Sequence, residues 1–167
     1  YLLANLSSQR AKQGKSVAKM TQYLDLVALG TYADVASLDY NNRILVDSGV
    51  KRIQSHQCRV GISALLEVAG RDPGQLKAQD LGFVIGPRIN AAGRMETMDI
   101  GIECLLAEDM QTAYALAQQL NDLNLERRQV EAEMKQDALS AMEHLQLDRT
   151  SLPSALIMFE EHWHQGV

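Results

Sequence analysis

Two cysteines, three prolines and no long apolar run make this a chain defined first by what it lacks. Cys58 and Cys104 have the spacing of neither a zinc site nor a redox dithiol. Two reduced thiols in a cytoplasmic protein are the expectation. No run reaches the roughly 18 apolar residues that would cross a bilayer, so no membrane-spanning helix is expected. No signal peptide is legible, because Arg10, Lys12 and Lys15 follow the apolar Tyr1-Leu2-Leu3 too soon. Internal repeats and low-complexity tracts are absent as well. Positive charge is in deficit: 16 Lys and Arg against 21 Asp and Glu leave a net charge of -5. That argues against a surface coated with nucleic-acid contacts, but it says little about one local groove. Hydrophobic residues make up 46% of the 167, enough for a packed core. The length suits one domain, or one domain with a piece of another. There is no initiator Met, and a new apolar stretch opens just before the sequence stops. The expectation is an internal segment of a longer protein.

The pattern of what is present is helical. Leu2, Leu3, Leu6 and Ala11 fall at roughly helical spacing before Gly14. Leu24, Leu26, Val27 and Leu29 predict a buried helix, with Thr21 as its N-cap and Gly30 near its end. Asp39 caps a second helix carrying Ile44, Leu45, Val50 and Ile53. Ile62, Leu65, Leu66 and Val68 form a third, closed by Ala69-Gly70. "RDPGQ" reads as a turn. Leu81 to Ile85 is apolar, and Gly86-Pro87 is expected to interrupt any helix there. Ile100, Cys104 and Leu105 begin another helix. From about Asp109 to Leu147 there is neither Pro nor Gly, and apolar residues recur every three or four positions. One long helix follows, polar enough in its middle to bridge two packed bodies. Leu156 to Phe159, after Pro153, reads as a short buried strand. The fold class expected is mostly α in this segment: the helical part of an α/β domain, a long connector helix, and the start of a second α/β domain.

Four stretches can carry chemistry. Asp34, in "GTYADVASLD", offers a hard oxygen at a helix end, with Ala33 and Ala36 leaving room for a cation or phosphate. It can equally accept from nearby backbone N–H groups as a turn residue. In "GPRINAAGR", Arg88 and Arg94 flank small residues. This is a phosphate cradle in composition, or a Gly-Pro turn with surface arginines. His164, Gln165 and Gly166 in "HWHQGV" form either a ligand-contacting loop or a polar turn anchored by Trp163. In "LNLERRQ", Glu126, Arg127 and Arg128 either meet substrate or form i,i+4 pairs such as Asn124–Arg128 and Arg127–Glu131.

In this order, "LDLVALGTYADVASLDYNNRILV", "GPRINAAGRMETMDIGIECLL", "LNLERRQVE" and "WHQGV" resemble the RecJ family of single-stranded-DNA-specific exonucleases, in the DHH phosphoesterase superfamily. The resemblance covers most of residues 20–167. It implies that 1–107 are the C-terminal helical part of the DHH catalytic domain, 108–150 the connector helix, and 151–167 the beginning of a DHHA1-type domain. Asp34 then matches a catalytic metal ligand for Mn²⁺ or Mg²⁺. Arg88, Asn90 and Arg94 match the "R-x-NAAGR" motif beside the DNA groove, with His164 and Gln165 opening the next motif. The activity implied is metal-assisted, 5′-to-3′ hydrolysis of single-stranded DNA to mononucleotides, in DNA repair and recombination. Helicase and single-strand-binding protein partners are implied, and no membrane. The "DHH" triplet and the upstream Asp motifs are absent, and Tyr32 and Ser37 stand where Val or Ile and Pro are expected. The segment therefore holds one metal ligand of a set and is expected to be inactive alone. Other readings are a DHH phosphoesterase acting on short oligonucleotides or cyclic dinucleotides, a non-catalytic DHH-fold scaffold, and a purely structural helical module.

Overall fold

A computed structural model describes residues 2–17, 19–144 and 155–167, the side chain of His144 excepted. Eight helices appear among them in chain order: α1 (Leu2–Lys12), α2 (Leu24–Ala33), α3 (Tyr40–Gln54), α4 (Val60–Val68), the single turn α5 (Ala78–Asp80), α6 (Gly86–Met95), α7 (Asp99–Leu106) and α8 (Met110–His144). A 3₁₀ turn over Met20–Tyr23 leads into α2.

Local chemistry sets several helix ends. Asp39 accepts from Asn42 N–H at 2.8 Å and caps α3, as expected. Asp109 does the same for α8 through Thr112 N–H at 2.8 Å. Gly70, at φ +65°, turns the chain out of α4 and sends Arg71 N–H back to the Leu66 carbonyl at 2.9 Å. Thr21 lies in the 3₁₀ turn instead of capping α2, and Gly30 lies within that helix.

The expected break at Gly86-Pro87 does not occur. Leu81–Ile85 form a π turn that runs directly into α6, with Gly86 N–H reaching back five residues to the Leu81 carbonyl. Pro87 is the second residue of α6, and its missing N–H costs one bond back to the π turn. The wider turn relieves the clash that a proline ring makes with the carbonyl four residues before it.

The core lies where α2, α3, α4, α6 and the first half of α8 meet. Ile53, Ile62, Leu65, Leu66, Leu81, Ile85 and Leu120 are fully buried there. Helices approach closely at small residues: a Cβ on Gly61 would overlap the Cys104 carbonyl, so α4 and α7 touch backbone to backbone. Ala113, Ala117, Leu120, Leu123 and Asn124 are the buried stripe of α8. Beyond Asn124 no described residue of α8 is buried, so its second half leaves the core. At 35 residues the helix is about 53 Å long. Leu145 to Leu147 and Pro153, part of the helix and strand expectations, lie outside the described residues. Leu156 to Phe159 form no strand, and no strand occurs among the described residues. A strand needs a neighbour to take its backbone groups, and none is present there.

One carboxylate escaped the sequence reading. Asp25 is fully buried and accepts from Leu26 N–H and Arg59 N–H, each at 2.8 Å. Arg59 is the N-cap of α4, so Asp25 ties α2 to the start of α4 across 34 positions.

Candidate nucleic-acid interface and metal ligand

α6 presents two faces to different surroundings. Pro87, Asn90 and Arg94 follow one another at helical spacing and line a concavity of about 340 Å³ together with Arg127, Glu131 and Val167. Three separate stretches of sequence meet here: the "GPRINAAGR" helix, the "LNLERRQ" part of α8, and the C-terminal tail.

The tail is held by backbone geometry. Arg94 Nη1 donates to the Gly166 carbonyl at 3.0 Å. A Cβ on Gly166 would stand 2.4 Å from the Arg94 carbonyl oxygen, so only glycine allows this approach. His164 Nδ1 accepts from Gly166 N–H at 3.1 Å, and Val167 N–H returns to the His164 carbonyl at 3.2 Å. His164 thereby shapes the turn that delivers Val167. Gln165 is exposed and does not line the concavity. Further out, His162 Nε2 and Asp137 Oδ2 meet at 3.0 Å and fasten the tail to α8. This bond holds the Asp137 carboxyl below the usual carboxylate range.

Of the two readings open for Arg127, a substrate contact or an i,i+4 pair, the structure shows the pair, and it sets the side chain, 18% exposed, in the wall of the concavity. Nη1 meets Glu131 Oε2 at 2.6 Å, and Nη2 reaches Asn124 Oδ1 at 3.5 Å. Asn124 therefore serves Arg127, not Arg128. The i,i+4 pairing of Arg127 with Glu131 was legible from spacing alone; its position in the concavity was not.

Arg88 does not share the concavity with Arg94. Six positions along a helix rotate a side chain by about 240°, so the two guanidiniums leave α6 in different directions. Arg88 is half-buried against α8, with Nε donating to Asn121 Oδ1 at 3.1 Å and Nη1 to the Val84 carbonyl at 2.7 Å. Burial, then the charges of Arg128 and Arg71, hold its pKa below the ordinary guanidinium value. Arg88, Arg128 and Arg71 thus lie near enough to repel one another, and no ion pair among the described residues includes any of them.

Asp34 is the C-cap of α2 and is exposed. Its N–H bonds the Gly30 carbonyl at 3.0 Å. The preceding Ala33 packs on α6: a Cβ on Gly86 would lie 3.3 Å from the Ala33 Cβ. Asp34 therefore stands beside the helix that carries Asn90 and Arg94. Ala36 lines a small apolar concavity with Phe83 and Val35. A carboxylate at a helix C-terminus meets the negative end of the dipole, and the last turn of α2 holds no basic residue to offset it. Such a position favours a cation. No group of three or more His, Cys, Asp or Glu residues able to hold a metal occurs among the described residues, so Asp34 has no complete set of partner ligands there.

The helical arrangement is that of the DHH-fold phosphoesterases. It is similar to RecJ from Thermus thermophilus crystallised with Mn²⁺, at TM-score 0.79 and 34% identity, over 96% of this chain and 23% of that one. It is also similar to an exonuclease RecJ bound to manganese, at TM-score 0.78 and 33% identity, over 98% of this chain and 39% of that one. The chain is 51% identical over 157 residues to the single-stranded-DNA-specific exonuclease RecJ of Dickeya dadantii, covering 94% of this chain and 27% of that protein. For the Escherichia coli protein of the same name, identity is 49% over 152 residues, 91% of this chain and 26% of that protein. No family model matches the chain. The chain belongs to the RecJ family. It spans about a quarter of the length of the curated relatives it matches.

Proposed function

We propose that the protein carrying this chain is a Mn²⁺- or Mg²⁺-dependent exonuclease that degrades single-stranded DNA from the 5′ end to mononucleotides. The observation that carries the reading is the meeting of Asn90, Arg94, Arg127 and the tail in one concavity on α6, the helix against which Ala33, next to Asp34, packs. Guanidinium groups suit phosphate oxygens, and a planar fork fixes a phosphate's orientation as well as its position. Arg94 keeps donors beyond the one given to Gly166, and the Asn90 amide adds a neutral contact. Arg88 holds α6 to α8 through Asn121 and so steadies the helix that carries Asn90 and Arg94.

A divalent ion, when bound, supplies Lewis acidity and an activated water for phosphodiester hydrolysis. Asp34 is the donor this chain contributes, on a helix end whose dipole already attracts positive charge. The remaining ligands come from outside these residues, so the chain alone is inactive in this reading. Residues 1–107 serve as the helical part of the DHH domain, 108–150 as the connector and 151–167 as the opening of a DHHA1-type domain. The second half of α8, which leaves the core, supports the connector role. Helicase and single-strand-binding protein partners and a cytoplasmic location follow from the family resemblance. Among the described residues no helix is long and apolar enough to cross a membrane.

The test is Asp34→Ala in the full-length protein. Mn²⁺-dependent hydrolysis is lost while single-stranded DNA is still bound. An unchanged rate removes Asp34 from the site. Nuclease activity in the isolated 167 residues overturns the incomplete-site reading.

A further inference from the structure

Arg94 and Arg127 face the same concavity, but their partners differ in charge. Arg94 gives a donor to the neutral carbonyl of Gly166, while Arg127 meets the carboxylate of Glu131 at 2.6 Å. Glu131 itself lines the concavity. The other i,i+4 ion pair described, Lys51 with Asp47, is a solvated surface pair whose side chains are 70% and 62% exposed. Arg127 is only 18% exposed, and Glu131 is 61% exposed. One partner is thus fixed in the wall, with Asn124, 1% exposed, behind it. The other reaches in from water.

We infer that Glu131 is a stand-in for a phosphate of single-stranded DNA: it holds the Arg127 guanidinium in the empty concavity and is displaced when a phosphodiester phosphate enters. The inference rests on the reading of the concavity as a nucleic-acid contact. Glu131 meets Arg127 through a single oxygen at Nη1, so a phosphate oxygen can replace it there without moving Arg127. Both cannot hold Nη1 at once, because their negative charges repel. Asn124 keeps Arg127 aimed during the exchange. Glu131 is also on an exposed helix face, where it swings into solvent at little cost in packing. The exchange weakens each phosphate contact and lets the strand move on after cleavage. Glu131 is therefore a positioning residue that sets how firmly the strand is held.

A double-mutant cycle in the full-length protein tests this, with a single-stranded oligonucleotide and EDTA to prevent cleavage. Glu131→Gln binds roughly two- to fivefold tighter, the scale of an exposed ion pair. Arg127→Gln binds more weakly, and its plot of log affinity against log salt is shallower by about 0.7. The double variant matches Arg127→Gln, because without the guanidinium there is nothing for Glu131 to compete over. Equal tightening by Glu131→Gln in both backgrounds makes Glu131 a general repulsive charge and overturns the exchange. So does a Glu131→Gln protein with an unchanged melting temperature and no tightening. A wild-type protein that binds the oligonucleotide without salt dependence overturns the reading of the concavity as well.

Discussion

Arg94 and Gly166 hold each other from both sides: the arginine's Nη1 donates to the glycine carbonyl at 3.0 Å, and the glycine's bare Cα rests against the arginine's own carbonyl. This contact, across 72 positions, brings the tail onto α6 and completes the concavity.

Gly166→Ala places a Cβ 2.4 Å from the Arg94 carbonyl and must push the tail off α6. Overpacking of this kind costs roughly 1–3 kcal/mol where it acts. The expected outcome in the full-length protein is weaker binding of single-stranded DNA with the far-ultraviolet circular dichroism unchanged. Unchanged binding shows that the tail does not contribute to the interface.

Asp25 and Asp34 separate structure from function. Asp25→Ala leaves the half-buried Leu26 and Arg59 N–H groups without their acceptor, at roughly 1–3 kcal/mol, read from the midpoint of urea denaturation. Asp34→Ala removes a negative charge from a helix C-terminus, so the midpoint stays or rises. Mn²⁺ affinity in the full-length protein responds only to the second. The opposite pattern reverses the two assignments.

The α8 cap gives the acid limb a sign. Thr112 N–H donates to Asp109 in its ionised form and holds that carboxyl below its ordinary value. Its contribution is complete above the unfolded carboxylate pKa of about 4 and is lost as pH falls through the lower folded value. Asp109→Ala therefore flattens melting temperature against pH in that acid window and leaves the slope near neutrality unchanged. An identical acid limb removes Asp109 as a stabilising cap.

Burial pushes the Cys104 thiol up to about 11 and raises Cys58 as well. At pH 8 a thiol of that acidity is ionised in about one molecule in a thousand. A thiol-specific reagent is expected to label Cys104 only after denaturation, with Cys58, half-buried, reacting first. Fast native labelling of Cys104 means that α7 opens locally.

Some of this was legible in the sequence and some was not. The caps at Asp39 and Gly70 and the long α8 depend on residues within a few positions of each other, so spacing revealed them. Asp25 was missed because its acceptor role depends on an N–H 34 positions away. The helical run through Gly86-Pro87 was missed because a π turn adjusts to its surroundings, and no residue type announces it. The strand expected at Leu156 to Phe159 followed from apolar composition, which cannot supply a neighbouring strand.

By itself the sequence determined helix content, several helix ends and, through four ordered motifs, the family. Only the tertiary structure decided which motif residues share a site. It parted Arg88 from Arg94 by helix rotation, and it brought Arg127 to Asn90 and the tail. Helix-forming tendencies act over one or two turns, whereas a binding surface joins helices distant in sequence, and their packing alone sets which side chains meet.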